Sequence, residues 1–228
     1  PSVEWQLYDW YLRPMVSYYA VRKACEPVHV QMEPLDRMVQ VVNNRLQPVE
    51  GLRVRARLLD MQSQLRWQHE ATLDVPANSV RDVFAVQTPE DISPVYFVRF
   101  DVADRNGQPV SENFYWLARS ELKELAHLEK LPAAEVSAQM TLHPQATETV
   151  AEVRVQNRSE RIAFLVHLSI YRPTDSEEIL PVWWEDNYVC LLPGERRRIL
   201  ARFPTADASG RTPILKLIGW NVRQASGQ

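Results

Sequence analysis

Ala24-Cys25-Glu26-Pro27-Val28-His29-Val30-Gln31-Met32 is the stretch at which the chain changes period. Before it, Leu7, Tyr8, Tyr11, Leu12, Met15, Tyr18, Tyr19, Val21 and Arg22 recur at the spacing of a helix face. Within it, Val28, Val30 and Met32 alternate with polar neighbours, as along a half-buried strand. Pro27 disfavours a helical backbone at Glu26 and has no N–H to continue the ladder. Helix must therefore give way to sheet at this point.

Toward the N-terminus, Pro14 interrupts the helical pattern. A proline suits a first helical turn, so the spacing predicts a short helix over Val3 to Leu12 and a second starting at Pro14. Trp5, Tyr8, Trp10, Tyr11, Tyr18 and Tyr19 carry more aromatic surface than two short helices can bury on each other. A partner outside the chain is expected to cover them.

Toward the C-terminus, strands are predicted at Val28–Met32, Met38–Val42, Leu52–Leu58, Leu65–Leu73, Ser79–Val86, Val95–Val102 and Val110–Leu117, punctuated by turn formers. Asn106-Gly107 is the strongest hairpin signal, because a type I′ turn needs positive φ at both central positions. Ser120 to Lys130 is charged and rich in helix formers, a linker with helical content that Leu131-Pro132 closes. A second β series follows at Val136–Leu142, Val150–Val155, Phe164–Tyr171, Tyr188–Leu192, Arg197–Phe203 and Ile214–Val222. Val39-x-Val41-x-Asn43 reappears as Val153-x-Val155-x-Asn157, which suggests two variants of one plan. The expected fold is mainly β, two immunoglobulin-like β-sandwiches preceded by a helix. The divisions fall at 1–27 (helix), 28–118 (first sandwich), 119–135 (linker) and 136–228 (second sandwich).

Composition narrows the function classes. With 45% hydrophobic residues and a formal charge of -3, the 228-residue chain can build packed cores, and neither charge sign forms a long run, so nucleic acid and a membrane surface are not indicated as partners. No apolar stretch approaches the roughly 20 residues a spanning helix needs. Cys25 and Cys190 are read as buried thiols rather than a disulfide. His29, His69, His127, His143 and His167 show no metal-ligand spacing, so no metal and no cofactor is expected. Asp101 and Asp104 beside Asn106 have oxygen ligands for calcium, but a hairpin turn explains them more simply.

Glu185-Asp186 is an adjacent carboxylate pair, but neighbours on a strand point to opposite faces and cannot act as an acid and base across one bond. Asp186-Asn187 and Pro193-Gly194 read as turns that fix the strand between them. Trp183, Trp184 and Trp220 could offer faces on which sugar rings stack, with Asp186, Asn187 or Asn221 binding hydroxyls; packing in the core or between domains is the competing explanation. Of Trp183 and Trp184, one should face outward and the other inward.

Five strings, in order, carry a resemblance: Trp5-Gln6-Leu7-Tyr8-Asp9 with Ala24 to Gln31; Asn113-Phe114-Tyr115-Trp116-Leu117; Leu180-Pro181-Val182 with Asp186-Asn187; Leu192-Pro193-Gly194-Glu195; and Gly219-Trp220-Asn221. Together they resemble the C-terminal part of family 2 glycoside hydrolases, in the branch of exo-β-D-glucosaminidases and plant-type endo-β-mannosidases. The resemblance implies that residues 1–27 are the last helix of a (β/α)8 barrel. It also implies that the acid/base and nucleophilic carboxylates of a retaining mechanism lie on earlier strands, leaving no catalytic residue in this chain. The implied partners are the N-terminal and barrel portion of the same enzyme and, for the parent, a β-linked oligosaccharide. An autonomous carbohydrate-binding or adhesion module is the alternative.

Overall fold

The computed structural model describes residues 7–208 and 210–224. The chain divides into two compact units, one running from Val21 to Leu131 and the other comprising Pro132 onward with the residues before Val21.

The first unit is a seven-stranded sandwich. Strands β1 (Val28–Met32), β2 (Met38–Asn43) and β5 (Ser79–Ala85) form one sheet in the order β1-β2-β5. Strands β3 (Val49–Asp60), β4 (Leu65–Val75), β6 (Val95–Ala103) and β7 (Pro109–Ala118) form the other in the order β4-β3-β6-β7. The long β3–β4 hairpin keeps β4 beside β3 instead of crossing to β5. Alternate residues close the core: Val39 and Val41 from β2 meet Leu52, Val54, Ala56 and Leu58 from β3 and Tyr96, Val98 and Phe100 from β6. The outer face of β6 is also buried, with Phe97 packed on Phe114 and Arg99 bonded to Asp101 and Glu112. The expected linker is a 3-10 stretch, Leu122–Lys130, that touches β6 and β7 and buries Leu128.

The Asn106-Gly107 hairpin is present, but not as type I′. Only Gly107 has positive φ, at 78°. The Gly107 N–H donates to the Asp104 carbonyl, and the Asp104 carboxylate accepts from the N–H groups of Asn106 and Gln108 at 2.8 Å each. This is a type I turn followed by a glycine in the left-handed region, with a register shift at Val102/Ala103. Asp104 decides the geometry, because its side chain stabilises a turn that Asn106 enters at negative φ.

The second sandwich comprises β8 (Ala134–Pro144), β9 (Glu148–Asn157), β10 (Ala163–Tyr171), β11 (Trp183–Trp184), β12 (Val189–Leu191), β13 (Arg196–Pro204), β14 (Ile214–Ile218) and β15 (Val222–Gln224). Its sheets run β12-β10-β14 and β11-β13-β9-β8-β15. Both sandwiches place their second strand between the first and a later strand, and their third in the opposite sheet. The expected strand Ile214–Val222 is in fact two. The chain turns at Gly219-Trp220-Asn221, and β15 crosses to pair in parallel with β8. A Cβ on Gly219 would stand 2.5 Å from Val222 Cγ2, so the close approach requires glycine.

Asn43 and Asn157 end β2 and β9 in equivalent fashion, and both are fully buried. The Asn43 amide donates to the carbonyls of Gln47, Val75 and Pro76, while its oxygen accepts from the N–H of Arg45. The Asn157 amide donates to the carbonyls of Arg161, Leu191 and Leu192, while its oxygen accepts from the N–H of Ser159. One side chain thus satisfies backbone groups of two loops at once. The short repeated string marks this shared device.

The N-terminal segment differs from expectation. Residues 3–6 of the first predicted helix lie outside the described residues, and the remainder is not helical. The Asp9 carboxylate accepts from the N–H groups of Tyr11 and Arg13, Leu12 has φ of 62°, and Tyr8 bridges to Pro14. An aspartate able to cap its own following backbone competes effectively with helix. The helix, α1, spans Val16–Ala24. Cys25, expected to be buried, is exposed, whereas Cys190 is buried as expected; both are free thiols.

Candidate functional site

The six candidate sugar-contact residues all lie in the second sandwich and divide by what their side chains already do. Trp183 and Trp184 occupy the edge strand β11, paired with Arg202 and Ala201 of β13. Alternation turns Trp183 outward, 56% exposed, and Trp184 inward, 6% exposed and in the core. Asn187 is buried and bonds β10 as a strand residue would: its oxygen accepts from the Leu168 N–H at 2.8 Å and its amide donates to the Leu168 carbonyl at 2.9 Å. The Asn221 amide donates to the carbonyls of Pro132 and Ile162, and its oxygen accepts from the Phe164 N–H. Asp186 lies 3.6 Å from Arg197, which is also bonded to Glu195. Trp220 packs edge-on against Phe164 and remains 54% exposed.

Trp183 and Trp220 do not share a platform. Trp183 is on one edge of the five-stranded sheet, and Trp220 adjoins β15 on the other. Four inter-strand steps of about 4.8 Å put these edges roughly 19 Å apart. Glu185 accepts from the Leu200 N–H, so the Glu185-Asp186 pair is tied to β13 on both counts. Asp104 serves its turn and Asp101 pairs with Arg57 and Arg99.

Sequence reasoning missed a second assembly, the seam of residues 7–20 against the sandwich. Rings follow one another in contact: Tyr8 to Tyr18 at 5.2 Å, Tyr18 to Tyr19 at 5.1 Å edge-on, Tyr19 to Tyr188 at 6.0 Å, and Tyr188 stacked on His167 at 4.4 Å. Tyr19 is 6% exposed and belongs to the core of this sandwich. Burial pushes the Tyr19 and Tyr188 phenols up and holds the His167 imidazolium down to about 4, with the Arg13 charge adding to the latter. Arg13 bonds Glu178 at 2.6 Å and lies 3.4 Å from Asp9, clamping the turn to the sandwich. Tyr188 holds φ of 54°, an uncommon backbone for a bulky residue, where it supports the seam.

Part of the aromatic load is therefore covered from within the chain. What stays uncovered is the tip of the turn: Trp10 is 82% exposed, and Tyr11 and Leu12 are also largely exposed. The signal for the seam was the helical spacing of Tyr18 and Tyr19; its partners Tyr188 and His167 are distant in sequence and carry no local mark.

Two family profiles match. The exo-β-D-glucosaminidase Ig-fold domain covers residues 113–222, and the mannosidase Ig/CBM-like domain covers residues 38–120. An exo-β-D-glucosaminidase of Streptomyces avermitilis is 30% identical over 98% of this chain and 27% of its own length. A mannosylglycoprotein endo-β-mannosidase of Lilium longiflorum is 24% identical over 96% of this chain and 29% of its own length. The crystal structure of the Amycolatopsis orientalis exo-chitosanase CsxA superposes with a TM-score of 0.90 at 29% identity, covering 97% of this chain and 28% of that one. The chain spans about a quarter of the length of the curated relatives it matches. With two immunoglobulin-fold domains matched along nearly its whole length, the chain belongs to the exo-β-D-glucosaminidase and mannosidase-like enzymes as a C-terminal part of them.

Proposed function

We propose that the chain is the non-catalytic C-terminal portion of a retaining family 2 glycoside hydrolase acting on β-linked glucosamine or mannose, and that it packs against the preceding catalytic barrel. The exposed Trp10-Tyr11-Leu12 tip carries this reading: a turn bonded by Asp9 and the Arg13–Glu178 pair holds three large apolar side chains in solvent. Such a patch stabilises a protein only when covered. Residues 1–27 would then be the end of the barrel, with β1 starting the first sandwich directly after it.

Hydrolysis with retention needs two carboxyls about 5 to 5.5 Å apart across the scissile bond, one as acid/base and one as nucleophile. The carboxylates considered for chemistry in this chain are bonded to arginines or backbone, which supports assigning that pair to the barrel. The competing reading, an autonomous carbohydrate-binding module, would rest on Trp183 and Trp220, two rings on opposite sheet edges.

Mixing this chain with the complementary N-terminal portion should restore hydrolysis of an aryl β-glucosaminide or β-mannoside, and Trp10→Ala/Tyr11→Ala should weaken association at least tenfold. Hydrolysis by the chain alone, or no association at micromolar concentration, would refute the proposal.

A further inference from the structure

The outward face of the five-stranded sheet carries a groove. Every second residue of β13 faces out, presenting Arg196, Arg198 and Arg202. The register sets Arg198 opposite Arg154, with Gln139 beyond it, and Arg196 opposite Gln156, with Ser137 beyond it. With Arg158 just past β9 and Arg197, these residues line a groove of about 450 Å³.

Like charges directly opposite on neighbouring strands repel. Glu152 relieves the Arg154–Arg198 pair by accepting from both, at 2.9 and 2.8 Å, and hydrogen bonds from Arg198 and then Arg154 hold its carboxyl below the usual range. Arg197 is taken by Glu195 and Asp186. Arg158 and Arg196 have no carboxylate partner among the described residues. Five lining arginines against the four carboxylates Glu152, Glu195, Asp186 and Glu135, the last set by the register opposite Arg158, leave a formal charge of +1. At the far end of the same face, Trp183 pairs in register with Arg202 and exposes its ring. Arg202 lies six residues on from Arg196, roughly 20 Å along the strand.

A flat aromatic face, amide and hydroxyl groups, and two guanidinium forks without a carboxylate partner thus share one face of the sheet. Guanidinium forks match carboxylates bidentately, and aromatic faces take sugar rings. We infer that this face binds an acidic oligosaccharide of uronate type, with rings stacked toward Trp183 and carboxylates held by Arg158 and Arg196. The positive groove repels a glucosamine polycation, and the inference stands whether or not the packing role does.

The test titrates hexagalacturonate into the 228-residue chain, followed by calorimetry and tryptophan fluorescence, beside mannohexaose, the glucosamine hexamer, a hexaglutamate peptide and a sulfated hexasaccharide. Hexagalacturonate should bind with a submillimolar Kd that weakens severalfold between about 50 and about 200 mM salt. Arg158→Gln/Arg196→Gln should lose at least tenfold, with an unchanged urea midpoint confirming the fold, and Trp183→Ala severalfold. No saturation by hexagalacturonate, or unchanged binding by the double arginine variant, would overturn the site. Equal or tighter binding of hexaglutamate with no effect of Trp183→Ala would make it a peptide surface. Tighter binding of the sulfated sugar would overturn the carboxylate assignment.

Discussion

Replacing Asn157 with alanine tests the claim that a single buried amide holds the end of the second sandwich. The side chain is fully buried, and its amide reaches the carbonyls of Arg161 at 2.6 Å, Leu192 at 3.0 Å and Leu191 at 3.2 Å. Leu192 keeps a second partner in the Glu195 N–H, so its loss is partial. The Arg161 and Leu191 carbonyls lose their bond to the amide. The Ser159 N–H, on a partly exposed loop, can recover water. Stranding a buried polar group costs roughly 1–3 kcal/mol, so the expected loss is about 2–4 kcal/mol including the small void left behind. At a urea m-value of about 1–3 kcal/mol/M, the midpoint of the affected transition should fall by roughly 1–2 M. Asn157→Asp decides between causes. It fills the same volume but turns an acceptor toward the three carbonyls, and it must desolvate a carboxylate or protonate it. Urea unfolding followed by circular dichroism should therefore find the aspartate variant at least as damaged as the alanine variant. If Asp is within about 0.5 kcal/mol of wild type while Ala is not, volume rather than hydrogen bonding explains the site, and the reasoning fails.

His167 gives a pH signature. Unfolded, it takes up a proton near 6.5, whereas folded it stays neutral down to about 4, so the unfolded state binds more protons between these values. Stability is full above about 6.5 and should fall by about 2–3 kcal/mol as the pH drops toward 4; His167→Phe, which keeps a ring against Tyr188, should flatten that part of the urea-midpoint profile. Gly219→Ala should cost about 1–3 kcal/mol through its clash with Val222, and Val222→Ala in the same chain should restore part of the loss; a neutral Gly219→Ala would show that the turn yields freely. Trp184→Ala should cost about 3–5 kcal/mol against less than about 0.5 for Trp183→Ala, a contrast that thermal unfolding resolves and that equal losses would contradict.

The sheet framework was legible because it rests on a local signal. Residues such as Val39, Val41, Val153 and Val155 alternate toward their cores, and the period of two survives any tertiary arrangement. Legibility failed where a polar side chain took over backbone hydrogen bonding. Asp9 converts a helical pattern into a turn, Asp104 changes the turn type at Asn106-Gly107, and Asn221 helps end β14 where hydropathy alone runs on to Val222. Each of these side chains acts on groups whose positions the sequence does not state.

The same competition explains why the candidate sugar contacts separated. Asn187 and Asn221 attract attention because asparagine beside tryptophan is a good hydroxyl binder, yet a turn beside a buried strand has backbone groups of its own to satisfy. Asn187 meets both bonding groups of Leu168, and Asn221 meets Pro132, Ile162 and Phe164. For either to bind a sugar, it would first have to strand those groups, at a cost of roughly 1–3 kcal/mol each, more than the roughly 0.5–1.5 kcal/mol that a new hydrogen bond to a hydroxyl returns. Side chains that cost nothing to recruit are better placed to bind. Among the described residues of the second sandwich these include the exposed ring of Trp183 and the forks of Arg158 and Arg196, which have no carboxylate partner there.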